Sequence, residues 1–190
     1  MWTRSIIILT LLGFYVTVSY AANYYVDASN GLDQADGLTE FTPWQSMDRL
    51  NKVRFSPGDV IHLRSGEVFK GQFRIKDSGS AEEPIQLISY GKGPKPQIAG
   101  QGLVQSTVLL ENVSHWLIEG IEITNMGAEP KANRRGLLLK VNGGGVYGNI
   151  TLRNLTVRDV NGSVSKKKGG GTGLRWEVDS RKVPTRIDSL

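Results

Sequence analysis

The stretch Asn149–Val160, NITLRNLTVRDV, constrains this chain more than any other. Apolar residues fall at alternate positions, Ile150 and Leu152, then Leu155 and Val157, and Asn154 shifts the alternation by one. Side chains alternate faces along a strand, so the stretch reads as two short strands joined by a one-residue corner. The same pattern occurs 34 residues upstream in WLIEGIEITNM, where Ile118 matches Leu152, Gly120 matches Asn154, Ile121 matches Leu155 and Ile123 matches Val157. A third copy starts at Arg186, with Ile187, Asp188, Ser189 and Leu190 matching Leu152 to Leu155 at an offset of 35. A strand-bearing unit that recurs at this period buries its apolar face by stacking on its neighbours, which predicts a solenoid.

Composition narrows the chemistry. The chain of 190 residues is long enough for one domain, and 39% hydrophobic content suits a folded protein. Without cysteine there is no disulfide framework and no thiol chemistry, and two histidines, His62 and His115, leave little for a multi-histidine metal site. Both histidines adjoin strand residues and read as structural. A net charge of +5 favours acidic partners weakly.

Residues 1–21 read as a signal peptide: Arg4, then the apolar run Ile6–Val18, then Ser19-Tyr20-Ala21 with cleavage expected after Ala21. The apolar run is short for the roughly 20 residues of a membrane span. The expectation is a secreted or periplasmic monomer with no stable membrane insertion, and no nucleic-acid partner, since no aromatic–basic cluster is present.

Residues 22–58 predict a strand at Tyr24-Tyr25-Val26, a polar loop carrying Asp27, Asp33, Asp36 and Glu40, and a helix. The loop lacks calcium-loop spacing and reads as a turn-rich connection. Thr42 as cap, Pro43 at the first helical position and Gln45 three residues after the cap predict a helix over 42–53, with Trp44, Met47, Leu50 and Val53 on its packed face. Residues 59–190 then read as strand, turn, strand. In one coil, GLLLKVN is the first strand, NITLR the second, Asn154 the corner and LTVRD the third; VNGSVSKKKGGGT is an outer loop, and GLRWEVD opens the next coil. An Asn at the corner predicts amide bonding to the coil above, imperfect because Gly120 and Ser189 hold the matching corners.

The segments YYVDASNGLDQADG with TPW, PGDVIHLRSGEVFKGQFRI, EEPIQLISYG and the two strand–corner–strand repeats resemble the N-terminal part of secreted right-handed parallel β-helix proteins of the pectate-lyase-like superfamily. The resemblance covers residues 23–190. It implies an all-β, right-handed parallel β-helix with a short N-terminal capping helix, and a carbohydrate-active enzyme, a lyase or a glycosidase. It also implies that substrate lies in a groove along the first sheet. Because the third repeat breaks off at Leu190 without a cap, the chain is expected to be the N-terminal part of a longer protein, with catalytic residues in coils further on.

Strand alternation selects the outward side chains of that groove. With Phe73, Ile75, Leu137, Leu139, Val141, Leu174, Trp176 and Val178 inward, Arg74, Lys76, Glu111, Lys140, Arg175, Glu177 and Asp179 face outward. A uronate lyase needs a base and often Ca²⁺; Lys140 or Arg175 would be the base, and Glu177 with Asp179 the metal ligands. A glycosidase needs two carboxylates, for which Glu177 and Asp179, two apart on one strand, are candidates. Arg74, Lys76, Glu111 and Lys167, the last on the basic loop Lys166–Lys168, would bind substrate. The basic residues favour cleavage of an acidic polysaccharide by β-elimination; the alternatives are a β-helix glycoside hydrolase and a non-catalytic glycan-binding or adhesin-like module.

Overall fold

The computed structural model describes residues 21–188. Residues 1–20 of the expected signal peptide, and Ser189 and Leu190 of the third repeat, lie outside the described residues. Among the described residues, no helix is long and apolar enough to cross a membrane.

Among the described residues, fifteen strands, one α-helical turn and one 3-10 turn follow in order: β1 (Asn23–Val26), α1 (Met47–Leu50), β2 (Val60–Arg64), β3 (Val68–Lys70), β4 (Phe73–Ile75), β5 (Ile85–Tyr90), β6 (Gln97–Ala99), β7 (Ser106–Glu111), β8 (Trp116–Glu119), β9 (Glu122–Asn125), β10 (Arg135–Val141), β11 (Gly145–Gly148), β12 (Ile150–Arg153), β13 (Thr156–Val160), the 3-10 turn Lys166–Lys168, β14 (Thr172–Val178) and β15 (Thr185–Asp188). They form three larger parallel sheets. Sheet A is β1-β2-β5-β8-β12, sheet B is β3-β6-β9-β13, and sheet C is β14-β10-β7-β4. The chain visits A, B and C in turn, then returns to A beside the previous strand, so the architecture is a parallel β-helix.

The repeat is the pairing register. Ile150 lies beside Trp116 and Thr156 beside Glu122, each pair 34 residues apart. The corner is a left-handed backbone residue, φ 70° at Gly120 and 52° at Asn154. Residues with positive φ are uncommon outside Gly, Asn and Asp, which explains the residue types at this position. The coils are joined there by the Gly120 N–H donating to the Arg153 carbonyl.

Inward residues stack into one core that includes Ile61, Leu87, Ile118, Phe73, Val108, Leu110, Leu137 and Leu139. In sheet C, Leu174, Trp176 and Val178 hold the inward register beside Leu137, Leu139 and Val141. They are not core as expected: they are 41%, 49% and 49% exposed. Among the described residues, β14 is an edge strand with nothing stacked on its outer side.

Two expectations are corrected. The helix does not start at Thr42. Ser46 is the cap, its hydroxyl accepting from the Arg49 N–H, and the α-helical segment is the single turn Met47–Leu50. Trp44 instead makes a parallel bridge with Val26, and its ring stacks on Tyr24 at 5.1 Å. The turn still covers a strand edge: its C-cap Asn51 accepts from the Arg74 N–H and donates to the Gln72 carbonyl beside β4. The third repeat also takes a different register. Ile187 pairs with Tyr147, not with Leu152, so β15 and β11 form a separate two-stranded sheet and each of these coils gains a fourth short strand.

The acidic loop is a connection, as expected, and its carboxylates brace it internally and against the helix start and β2. Asp27 accepts from the Ser29 and Asn30 N–H groups, Asp33 from Gln45 and Ser46, and Asp36 from Leu38 and Thr42. His62 stacks on Tyr25 at 4.5 Å and meets Asn23 at 2.9 Å, while His115 lies 3.2 Å from Asn149.

Candidate functional site

The outer face of sheet C brings most of the expected groove residues together. Strand register places Leu109 beside Leu138 and Leu138 beside Arg175, with Arg74 beside Leu109 on the other flank. Two residues further along, Glu111, Lys140 and Glu177 form a second transverse row. At the sheet spacing of about 4.8 Å, the Cα atoms of Glu111 and Glu177 stand about 9.6 Å apart with Lys140 between them. Leu138 is buried at 4% exposure, so the apolar surface this face presents is the half-buried Leu109, bordered by charges.

Charges in this face are paired across strands. Glu111 is reached by Arg74 at 3.4 Å and by Lys140 at 3.5 Å. Glu177 is reached by Arg135 at 2.7 Å and by Arg175 at 2.8 Å. Arg135 has a side chain only 8% exposed, against 51% for Arg175, so it is the fixed partner. Sequence reasoning missed Arg135 because it precedes the alternating Leu137, Leu139 and Val141. The signal was the Arg134-Arg135 pair at the strand entry.

Asp179 leaves the row. It follows the last residue of β14, and its carboxylate turns to Arg181 at 2.6 Å and 2.9 Å. Hydrogen bonding from the Arg181 guanidinium and N–H holds it far below the usual carboxylate range. The two carboxylates have separate partners, Arg135 and Arg175 for Glu177 and Arg181 for Asp179. Each is engaged by guanidinium groups, and among the described residues no group of three His, Cys, Asp or Glu could hold a metal ion.

Lys76 is exposed just past β4, and Lys167 is exposed on a short helical turn in the loop between β13 and β14. Lys140, Glu177, Asp179 and Arg181 line an open cavity of about 500 Å³ at the far end of the strands. Glu111 and Glu177 accept from cationic side chains on this face.

No protein-family model matches the chain. The chain is 28% identical over 210 aligned positions to the lacto-N-biosidase of Bifidobacterium longum subsp. longum, an alignment covering 83% of this chain and 13% of that protein. Its fold is similar to the crystal structure of GH136 lacto-N-biosidase from Eubacterium ramulus, with a TM-score of 0.74 and 27% identity over 88% of this chain and 34% of that one. A rhamnogalacturonan lyase superposes with a TM-score of 0.50 at 14% identity over 89% of this chain and 54% of that one, a likeness of fold alone. The chain thus spans about an eighth of the curated relative's length and about a third of the solved structure's.

Proposed function

We propose that this β-helix is the glycan-contacting part of a glycoside hydrolase, and that the sugar lies on the outer face of sheet C. The observation that carries the reading is the 27% identity and TM-score of 0.74 to a lacto-N-biosidase across 88% of the chain. The lyase reading had rested on the cations of the groove. Three of those cations, Arg74, Lys140 and Arg175, lie against Glu111 or Glu177, and the similarity to a glycoside hydrolase favours hydrolysis over elimination.

The face suits a sugar ring. The half-buried Leu109 offers a small apolar surface for its C–H groups, while Glu111, Lys140 and Glu177 offer acceptors and a donor for its hydroxyls. The substrate class is an oligosaccharide carrying a lacto-N-bioside, bound outside the cell after secretion. The test incubates the full chain with a lacto-N-bioside and, separately, with a polyuronate. The reading expects binding of the bioside, weakened by Lys140→Ala, and any cleavage to release a reducing sugar without absorbance near ~235 nm. Unsaturated products from the polyuronate would restore the lyase reading, and failure to bind the bioside would overturn this one.

A further inference from the structure

Arg134 is 4% exposed, yet no carboxylate among the described residues pairs with it. Its Nη1 donates to the carbonyls of Glu129 and Asn161 and to the Asn161 side chain, and its Nη2 donates to the Gly102 carbonyl at 3.0 Å. These acceptors are neutral. A guanidinium has five N–H donors and stays charged. The Nε–H and one Nη2–H therefore have no acceptor among the described residues. Glu129, the one acidic residue between β9 and β10, gives its carbonyl rather than its carboxylate. A buried charge without a counter-charge is costly, and proteins ordinarily pair it.

This guanidinium borders a cavity of about 240 Å³ formed by the two loops that enter β7 and β10, lined also by Gly102, Gln105 and Lys131. The loops close on it tightly. A Cβ on Gly127 would stand 2.6 Å from Nη2, and one on Gly102 would meet Gly127 at 2.2 Å. The basic turn Lys166–Lys168 ends at Gly169, which packs against Asn133, the residue before Arg134. Arg134 and Lys131 thus set two positive charges on this cavity.

We propose that this cavity is an anion subsite that takes the carboxylate of an acidic sugar, such as a uronyl or sialyl residue of the glycan on sheet C. Arg134 supplies the planar donors that match a carboxylate, and Lys131 supplies the second charge. The subsite lies about 20 Å from Lys140, six residue steps along the strand, so it reads a remote sugar of a branched or extended substrate. The inference rests on sheet C being the glycan face.

The test is calorimetric titration of the full chain with an oligosaccharide that carries a lacto-N-bioside and ends in a uronate, the same oligosaccharide with its carboxyl reduced to an alcohol, and sodium sulfate. The acidic sugar is expected to bind about tenfold tighter than the reduced one, the scale of one charge-assisted hydrogen bond. Lys131→Glu, an exposed change that leaves the fold intact, is expected to remove most of that preference, and Arg134→Gln to abolish it. Equal affinity for the two sugars would overturn the subsite and leave the sheet C reading standing. Tighter binding of sulfate than of the uronate would overturn the assignment to a sugar carboxylate, and binding of neither sugar would overturn both readings.

Discussion

Arg135 and Glu177 meet at 2.7 Å across the β10–β14 pair of sheet C, and the Arg135 side chain is only 8% exposed. Glu177 also accepts from Arg175 at 2.8 Å, but that partner is half exposed. Arg135→Met should therefore remove the fixed contact and leave a partly buried carboxylate with one mobile partner. The expected cost is about 1–3 kcal/mol, read as a lower urea midpoint at unchanged slope. Arg175→Met should cost well under half of that, because exposed ion pairs contribute little.

Glu111→Gln and Lys140→Ala test the sugar face without disturbing the core, since both residues are partly exposed and joined only by a 3.5 Å contact. Stability should change by less than about 1 kcal/mol. Oligosaccharide affinity should fall about fivefold to twentyfold for each, as expected for loss of one or two polar contacts to ligand. Unchanged affinity with unchanged folding would place the sugar elsewhere.

Gly37 has φ 74°, and a Cβ there would stand 2.2 Å from the Trp44 ring. That ring is 2% exposed, stacks on Tyr24 and donates from its indole N–H to the Ala35 carbonyl. Gly37→Ala combines a strained backbone with a clash against a packed aromatic. Destabilisation of about 2–4 kcal/mol is expected in thermal or denaturant unfolding. Gly91, also at positive φ but with open space around its Cβ position, should lose only about 1 kcal/mol on the same change.

Asp33 links the acidic loop to the helix start. Burial opposes its ionisation, but hydrogen bonds from the Ser46 hydroxyl and the Ser46 and Gln45 N–H groups outweigh burial and lower its pKa. A depressed folded pKa contributes stability above the unfolded value near ~3.9, and that stability is lost as pH falls through the folded value. Asp33→Asn should lower stability at neutral pH and flatten its fall below about pH 4. An acid titration as steep as that of the parent would exclude this role.

Much of the fold was legible because one coil's pattern matches the next at the level of single residues. Leu137, Leu139 and Val141 pointed inward, and Lys140 outward, by alternation alone. The helix start was not legible. Thr42 and Ser46 both suit a cap, and the choice is made by Asp33, 13 residues away, which bonds Ser46 while Thr42 bonds Asp36. The third repeat failed for a related reason: Ile187 fits the local pattern of Leu152, but the chain after β14 brings it beside Tyr147 instead. In the site, the outward positions were readable, whereas the pairing of Glu177 with Arg135 depended on a side chain at the strand entry. The engagement of Asp179 by Arg181 depended on a turn beyond the strand end.

The most direct measurement is a crystal structure of the full chain grown with a lacto-N-bioside oligosaccharide. The account predicts electron density for a sugar ring beside Leu109, with hydroxyls within hydrogen-bond distance of Glu111, Lys140 or Glu177. Sugar density on the outer face of sheet A, with sheet C bare, would contradict it.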